Sequence, residues 1–326
     1  MSIVGQLGLI AGAVGALLTL MAMLSVFARR RSWPAEVQRK CVHLITGLYA
    51  LSFPFVFQGV WSVLVLAVIG AAVVAVLRLP RFAAWPPASA LHGVGRKSYG
   101  DLLLPLSVGL IFLLAKNNPV LFVLPIAVLS LSDSAAALIG TRYGRSVFYA
   151  GTGTKSIEGV AAFFLVTWLV ATVVLLAMTP MRAVDAVFLS LFIAAFGAFV
   201  EANSWGGLDN LFVPLGIYLF LSNRLAVTPQ QLIVLMIVFL AILSAMLALA
   251  ADLGLSRHAA RAYAILVFIV FAAAGPFGAG LAVAALLGHV AARRLWPRIF
   301  DRDLASPTLS LSLAAPFVVC AFGVSG

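Results

Sequence analysis

Apolar runs of about 20 residues recur along nearly the whole chain, and they constrain the fold more than any other feature. A helix of that length crosses a bilayer, and inside lipid only helices or closed barrels satisfy the backbone. Hydrophobic residues make up 63% of the 326, and the mean hydropathy is +1.14. The sequence therefore predicts an all-α, polytopic integral membrane bundle of about 10–12 transmembrane segments with no soluble domain.

The distribution of basic residues predicts how this bundle is oriented. The first apolar run, Ser2 to Phe27, has no basic residue ahead of it and ends in three arginines, so we interpret it as a retained span. The net charge of +11 lies mostly in short loops between apolar runs, which is typical of cytoplasmic loops, and we expect no nucleic-acid partner. We expect a bacterial-type inner membrane protein with its active site on the cytoplasmic side.

Three parts of the chain follow from the succession of apolar runs. We predict an N-terminal span and basic loop over 1–38, a catalytic membrane core over 39–225, and additional membrane helices of unknown role over 226–326. In the last part Gly275-Pro276 interrupts the run from Ala262 to Val290, which predicts a broken or re-entrant pair of helices. A final span is expected from Leu309 to Val324.

An acid and a stripe of small residues stand out in the middle of the chain. On a helix, Asp133, Ala136, Ala137, Gly140 and Gly144 share one face. Membrane helices use small residues widely for close packing, and packing alone accounts for the alanines and glycines. It does not account for an aspartate near the membrane boundary, so we predict that Asp133 is functional.

The segment Lys155-Ser156-Ile157-Glu158-Gly159 lies where a loop becomes the next apolar helix. Ser156 suits the N-cap, and the free N–H groups of a helix N-terminus attract phosphate, to which Lys155 adds a charge. A divalent cation could bridge the Glu158 carboxylate and that phosphate. Alternatively, the carboxylate simply interacts with the positive end of the helix dipole. A P-loop is excluded because Thr154 stands where that motif requires glycine before the lysine.

Two further groups of polar residues lie at predicted membrane boundaries. Arg39, Lys40 and His43 fall on one face where an apolar helix begins, although topology alone predicts basic residues there. Further along, a glycine pair separates Glu201 from Asp209-Asn210. Half of the ten acids fall at the same predicted boundary, namely Asp101, Asp133, Glu158, Glu201 and Asp209. Such a concentration of costly groups points to a shared site.

Taken in order, these motifs resemble the CTP-dependent polyprenol-type lipid kinases, which include phytol and farnesol kinases, dolichol kinase and the CTP-dependent diacylglycerol kinase. The resemblance rests on Arg39-Lys40-x-x-His43, Gly100-Asp101 before Leu104-Pro105, Asp133-x-x-Ala136-x-x-x-Gly140-x-x-x-Gly144, Lys155-Ser156-x-Glu158-Gly159, and Glu201 with Asp209-Asn210-x-x-x-Pro214. The phytol kinase branch is the most similar, because dolichol kinases favour threonine where this chain has Ser156.

The resemblance implies transfer of the CTP γ-phosphoryl group to the hydroxyl of an isoprenoid alcohol, with Mg²⁺ as the divalent metal. Carried over by position, the implied catalytic residues are Asp133, Lys155, Glu158, His43 and Asp209. The implied nucleotide-binding residues are Gly140, Gly144, Lys155, Ser156, Gly159, Arg39, Lys40 and Asn210. The implied metal ligands are Asp133, Glu158 and Glu201. The expected partners are the lipid alcohol, CTP and membrane lipids, and self-association into a homo-oligomer is left open.

Other functions remain open at this point. A phosphatidate cytidylyltransferase also joins CTP to lipid chemistry, but Gly206-Gly207-Leu208-Asp209-Asn210 lacks the histidine, arginine and second aspartate of that signature. Diacylglycerol is an alternative acceptor, because nothing in the sequence sizes a lipid cavity. A transporter of lipid or small anions ranks third. It would favour inverted repeats and acids at the midplane of the membrane, whereas half of the acids in this chain fall at one predicted boundary.

Overall fold

A computed structural model describes residues 3–82, 85, 98–115, 118–150, 153–222, 225 and 228–295, nearly all of which are helical or lie in short turns between helices. The helices are α1 (Ile3–Arg30), α2 (Ala35–Ala50), α3 (Phe53–Val56), α4 (Val60–Leu77), α5 (Gly100–Ala115), α6 (Pro119–Ala127), α7 (Asp133–Tyr143), α8 (Ile157–Met178), α9 (Ala183–Asn203), α10 (Asp209–Ser222), α11 (Pro229–Ala248) and α12 (Arg257–Leu295). A π-helical turn, Val128–Ser132, joins α6 to α7, and a hairpin of β1 (Val147–Ala150) and β2 (Gly153–Ser156) joins α7 to α8.

Seven helices in the described part of the chain are long and apolar enough to cross a bilayer. They are Val4–Arg30, Val60–Leu77, Pro119–Tyr143, Ile157–Met178, Ala183–Asn203, Pro229–Ala248 and Arg257–Ala292. Two shorter apolar helices, α5 and α10, accompany them. The prediction of a polytopic helical membrane bundle is confirmed. The last predicted span, Leu309 to Val324, lies outside the described residues.

Helix α2 begins earlier than the apolar pattern suggests. The apolar run from Leu44 to Phe57 predicts a single pass, but α2 covers Ala35–Ala50 and a separate short helix, α3, follows it. Pro54 in the first turn of α3 lacks a backbone N–H, which favours the start of a new helix. As a result Arg39, Lys40 and His43 lie within the body of α2, where neighbouring helices surround them.

The span Pro119–Tyr143 contains an interruption that places Asp133. Its regular helical pattern changes to a π-helical turn over Val128–Ser132, and Asp133 begins the helix that follows. π-Turns inside helices widen the backbone and often occur at functional sites. A Cβ added at Gly47 of α2 would overlap the Ser130 side chain, so the glycine is what allows α2 and the turn to approach so closely.

The C-terminal helices pack into the same apolar core as the helices before them. Phe268 of α12 lies 5.5 Å from Phe196 of α9 and 5.0 Å from Phe239 of α11, measured between ring centroids. Such aromatic contacts add to the close packing on which membrane helices rely. Gly275 has φ +68° and ψ −162°, which breaks α12 where Gly275-Pro276 predicted an interruption.

The hairpin between α7 and α8 was expected only as a loop. Its strands run antiparallel, with Val147 opposite Ser156 and Phe148 opposite Lys155. Aromatic and β-branched residues in β1 favour an extended backbone. In β2, Thr154 is exposed, Lys155 is half-buried and Ser156, the last residue of the strand, is buried.

Candidate active site

An enclosed charged cluster joins α2 to α7. Lys40 Nζ lies 2.5 Å from Asp133 Oδ2, and His43 Nε2 lies 3.3 Å from the same oxygen. All three residues are at most 5% exposed. A buried charge without a partner is strongly unfavourable, so the ammonium and the carboxylate stabilise each other's burial. Sequence reasoning placed these residues in separate motifs, and the fold brings them together.

His43 is held by the π-helical turn. Its Nε2 lies 3.2 Å from the backbone carbonyl of Leu129, and a carbonyl oxygen only accepts, so Nε2 carries the proton in this hydrogen bond. Nδ1 is buried and has no hydrogen-bond partner among the described residues. His43 therefore contacts the Asp133 carboxylate and is placed to orient it.

A second charged cluster joins the hairpin to α9 and α10. Lys155 Nζ lies 2.7 Å from Glu201 Oε1 and 3.8 Å from Asp209 Oδ2, and it also donates to the Glu201 backbone carbonyl. Burial by itself would lower the pKa of Lys155, but the two carboxylates outweigh it and the pKa is raised above its ordinary value. The two carboxylates thus favour the charged form of Lys155.

Three carboxylates from different helices converge between the two lysines. Asp133, Glu201 and Asp209 each offer an oxygen, and these oxygens all lie within 4.8 Å of one another. Glu201 is 6% exposed, and its Oε2 has no hydrogen-bond partner in the described part of the chain. Carboxylate oxygens are the ligands that Mg²⁺ prefers, and a buried unpartnered oxygen is suited to complete its coordination. The residues therefore fit a divalent cation.

Glu158 lies apart from this group of three carboxylates. Its carboxylate accepts from the backbone N–H of Ser146, at 3.1 and 3.3 Å to its two oxygens, and so ties the first turn of α8 to the start of the hairpin. Asp209 is the acid that joins Asp133 and Glu201 instead. Ser156 caps α8 as predicted, with its hydroxyl accepting from the Gly159 N–H at 3.1 Å.

The small residues of α7 pack against the start of α8. A Cβ added at Gly140 would lie 3.1 Å from Ser156 Oγ, and one at Gly144 would lie 2.8 Å from it. A Cβ at Gly159 would lie 2.9 Å from the Ala136 carbonyl oxygen. Close helix packing therefore requires these glycines whether or not a nucleotide touches them. Their predicted contact with the nucleotide stays a prediction.

Arg39 is held by two acids at the mouth of the site. Its guanidinium lies 2.7 Å from Glu36 on the preceding turn of α2 and 3.3 Å from Asp101 at the start of α5. Arg78 also reaches Asp101, at 3.1 Å. Asp101, one of the acids at the predicted boundary, thus links α2, α4 and α5.

The segment before α10 forms a turn that contacts α5. Gly206 and Gly207 have φ of +60° and +88°, which glycine adopts without strain. A Cβ at Gly207 would overlap the backbone of Gly100, so the two segments touch directly. Asn210 Nδ2 donates to the Gly100 carbonyl at 2.7 Å, and the Tyr99 N–H donates to the Gly206 carbonyl at 2.8 Å.

Two adjacent cavities share part of their walls, namely Lys40, Thr154, Lys155 and Asp209. The first, of about 250 Å³, is lined by Arg39, Lys40, Ser98, Gly100, Ala150, Gly153, Thr154, Lys155, Ser204, Trp205, Gly206, Gly207, Asp209 and Asn210. The second, of about 330 Å³, is lined by Glu36, Lys40, Asp133, Ala136, Ala137, Gly140, Thr141, Val147, Thr154, Lys155, Ser156, Gly159, Val160, Glu201 and Asp209. The wall of the first includes the large aromatic side chain of Trp205, whereas the second holds the three carboxylates and has one wall of small side chains.

Sequence reasoning missed several residues of the cavity walls. Trp205, Thr154 and Ser98 line the first cavity. The Trp205 ring packs edge to face on His258 of α12, with 5.1 Å between ring centroids. A tryptophan between polar residues and a glycine pair was the available signal for Trp205. No sequence pattern links His258 to it, because that contact depends on how α12 packs.

Comparison with known proteins places this arrangement in a family. Over 187 residues the chain is 37% identical to a phytol kinase of Synechocystis sp., which covers 56% of this chain and 77% of that relative. No profile of a known protein family matches the chain, and no solved structure is similar to it. Identity at this level over most of the relative shows common descent, so the chain belongs to the phytol kinase-like family of lipid kinases.

Proposed function

We propose that this protein is an isoprenoid alcohol kinase that uses CTP and Mg²⁺. The observation that carries the proposal is a pair of adjacent cavities that share Lys40, Lys155 and Asp209 in their walls, the second of which also holds Asp133 and Glu201. Phosphoryl transfer needs two substrates in line and neutralised phosphate charge, and little else from the protein. The similarity to a phytol kinase supports a membrane-embedded alcohol as the acceptor.

The first cavity suits the nucleotide. Its wall offers hydroxyl and amide groups from Ser98, Ser204 and Asn210, together with the Trp205 ring. Aromatic faces stack on bases, and hydroxyl and amide groups suit a ribose. The phosphates would then extend toward Lys40 and Lys155, whose ammonium groups neutralise charge on the oxygens. The choice of CTP over other nucleotides is carried by the family resemblance.

The second cavity suits the end of the lipid. Ala136, Gly140 and Gly159 form a wall without bulky side chains, between α7 and α8, which both face the membrane in part. An alcohol that enters along this wall would bring its hydroxyl to Asp133 and Glu201. An isoprenoid alcohol has one slim chain, whereas diacylglycerol has two. The width of this cavity would therefore distinguish the two classes of acceptor.

In the proposed transfer the hydroxyl oxygen attacks the γ-phosphorus, the bond from that phosphorus to the β-γ bridging oxygen breaks, and CDP leaves. The hydroxyl proton passes to one carboxylate of Asp133, Glu201 and Asp209. A Mg²⁺ ion held by these residues would neutralise the charge on the transferred phosphoryl group. Lys40 balances the charge of the Asp133 carboxylate in this role, since the two lie 2.5 Å apart.

Basic residues concentrate at the end of the bundle that carries the site, including Arg39, Arg78 and Lys155. Because positive residues favour the cytoplasmic side, we propose that the site opens to the cytoplasm. Nucleotides are available there, which agrees with a CTP-dependent reaction.

The proposal is tested by phosphate transfer in nanodiscs. Protein with Mg²⁺ receives γ-labelled CTP or ATP and one acceptor from phytol, farnesol, geranylgeraniol, dolichol and diacylglycerol. The expected product is a labelled isoprenyl monophosphate, with CTP the better donor. Labelled phosphatidate would assign a diacylglycerol kinase, CDP-lipid would assign a cytidylyltransferase, and the absence of transfer from every pair would overturn a kinase function.

A further inference from the structure

The Lys155 ammonium lies among the oxygens that would bind a metal ion. It is 2.7 Å from Glu201 Oε1 and 3.8 Å from Asp209 Oδ2, and both acids belong to the group of three carboxylates. A Mg²⁺ ion binds carboxylate oxygen at about 2.0–2.1 Å. An ion on these oxygens would therefore sit next to the ammonium, where the two positive charges repel strongly because little water separates them.

The charge balance of the site points the same way. Asp133 is already paired with Lys40, and Glu201 shares its charge with Lys155. The group thus holds three carboxylates against two ammonium groups, and Glu201 Oε2 is buried without a hydrogen-bond partner among the described residues. A divalent cation added to this arrangement would make the buried site net positive. If the Lys155 ammonium withdraws, the carboxylates match the incoming charge.

Lys155 is placed so that it can withdraw. It lies on the short strand β2, and its side chain is 19% exposed, whereas Lys40 lies within α2 and its side chain is 6% exposed. Lys155 also lines both cavities, so its ammonium can turn from the carboxylates into either one. That motion changes side-chain rotamers and leaves every helix intact.

We propose that Lys155 is the resident counter-ion of Glu201 and Asp209 and that it exchanges with a divalent cation. Binding of the cation to Asp133, Glu201 and Asp209 releases the ammonium into the cavity, where a phosphate can accept it. The role of the phosphate as acceptor rests on the proposed function, whereas the exchange itself concerns cation binding alone. It follows that the metal binds weakly to the free protein and more tightly once a phosphate is present to accept Lys155.

The exchange is tested by Mn²⁺ binding without nucleotide, measured by electron paramagnetic resonance in phosphatidylcholine nanodiscs. Wild type is compared with Lys155→Met, which removes the charge, and with Lys155→Arg, which keeps it. We expect Lys155→Met to bind Mn²⁺ at least about tenfold more tightly than wild type, because one repelling charge is lost at close range. Lys155→Arg should stay as weak as wild type.

Two controls locate the effect. Adding Glu201→Gln to Lys155→Met should abolish the gain, and Arg182→Met, which removes an exposed charge paired with Asp185 at the other end of α9, should produce none. Lys155→Ala serves if Lys155→Met is not monodisperse on size exclusion. Equal Mn²⁺ affinity in wild type and the neutral variants would overturn the exchange, as would a gain that survives Glu201→Gln. Failure of wild type to phosphorylate any lipid would overturn the proposed function and leave this result standing.

Discussion

Lys40 and Lys155 pair with different members of the same group of carboxylates, and the Lys40 side and the Lys155 side of this group are built differently. Lys40 comes from the body of α2, bonds Asp133 at 2.5 Å, and has His43 beside it. Lys155 comes from a two-stranded hairpin and bonds Glu201, whose other oxygen has no partner among the described residues. The first side is a closed ion pair fixed by helices, whereas the second is an open one.

The difference follows from the elements that carry the lysines. A residue in a packed helix is held by neighbours on several turns, and α2 is pressed onto the π-helical turn at Gly47. A hairpin of two four-residue strands has little stability of its own and depends on what it contacts. We therefore expect the Lys40 side to keep Asp133 in place and the Lys155 side to move with metal and substrate.

The largest effect should come from breaking the closed side. Asp133→Asn should lower phosphate transfer by about 10³-fold or more, because it removes a carboxylate from the reacting group. It should also lower the free energy of unfolding by about 3–5 kcal/mol, since it leaves the buried Lys40 ammonium without its partner. Transfer of label to lipid and thermal unfolding in detergent measure the two effects.

A double variant separates these effects. Lys40→Met with Asp133→Asn removes both charges and should recover most of the lost thermal stability, while transfer stays absent. Recovery of activity together with stability would mean that Asp133 is only structural. Near-normal transfer in Asp133→Asn alone would remove it from the proposed site altogether.

On the open side, a substitution of Lys155 should lower activity much more than stability. Lys155→Ala should lower phosphate transfer by about 10²-fold, because a positive charge beside the transferred group is lost. Its effect on thermal unfolding should be smaller than that of Asp133→Asn, since Glu201 faces a cavity that water or a cation can enter. Arg182→Ala, at the exposed end of α9, is the matched control and should change neither property. A stability loss as large as that of Asp133→Asn would contradict the comparison.

A variant of His43 should show how much the orientation of the Asp133 carboxylate contributes to the rate. Because it orients the carboxylate and lines neither cavity, His43→Asn should lower kcat by about tenfold and leave the KM for the nucleotide unchanged. Steady-state kinetics over a range of CTP concentrations measures the two constants. A raised KM with normal kcat would instead place His43 in contact with the nucleotide.

Much of this architecture could be predicted from the sequence. Hydropathy predicted the spans because lipid requires long apolar helices, and Gly275-Pro276 predicted the break in α12 because proline cannot continue the regular pattern. The residues of the Lys40 and Asp133 pair were both singled out. Their contact was not predicted, since helical periodicity indicates which residues share a face but not which helix lies opposite.

The contacts of the Glu158 side chain could not be predicted from the sequence pattern. Gly159 turns toward α7, and Glu158, one residue earlier and about 100° around the helix, turns toward the hairpin. No pattern in the sequence indicates that the backbone N–H of Ser146, just before the hairpin, donates to this carboxylate. Asp209 joined the other two acids because the glycine turn at Gly206-Gly207 docks on α5, a contact between segments far apart in the chain.

The smallest effect should come from Ser156, whose hydroxyl is engaged by the Gly159 N–H of its own helix. Ser156→Ala should lower the free energy of unfolding by about 1 kcal/mol, and Ser156→Gly by only a few tenths, because glycine is tolerated at the N-cap. If the hydroxyl acts only as a cap, thermal unfolding separates the two variants while the KM for CTP stays at the wild-type value in both. If the hydroxyl binds phosphate, both variants lose the same contact and the KM rises equally, which would return Ser156 to the nucleotide site and make the start of α8 part of the open side.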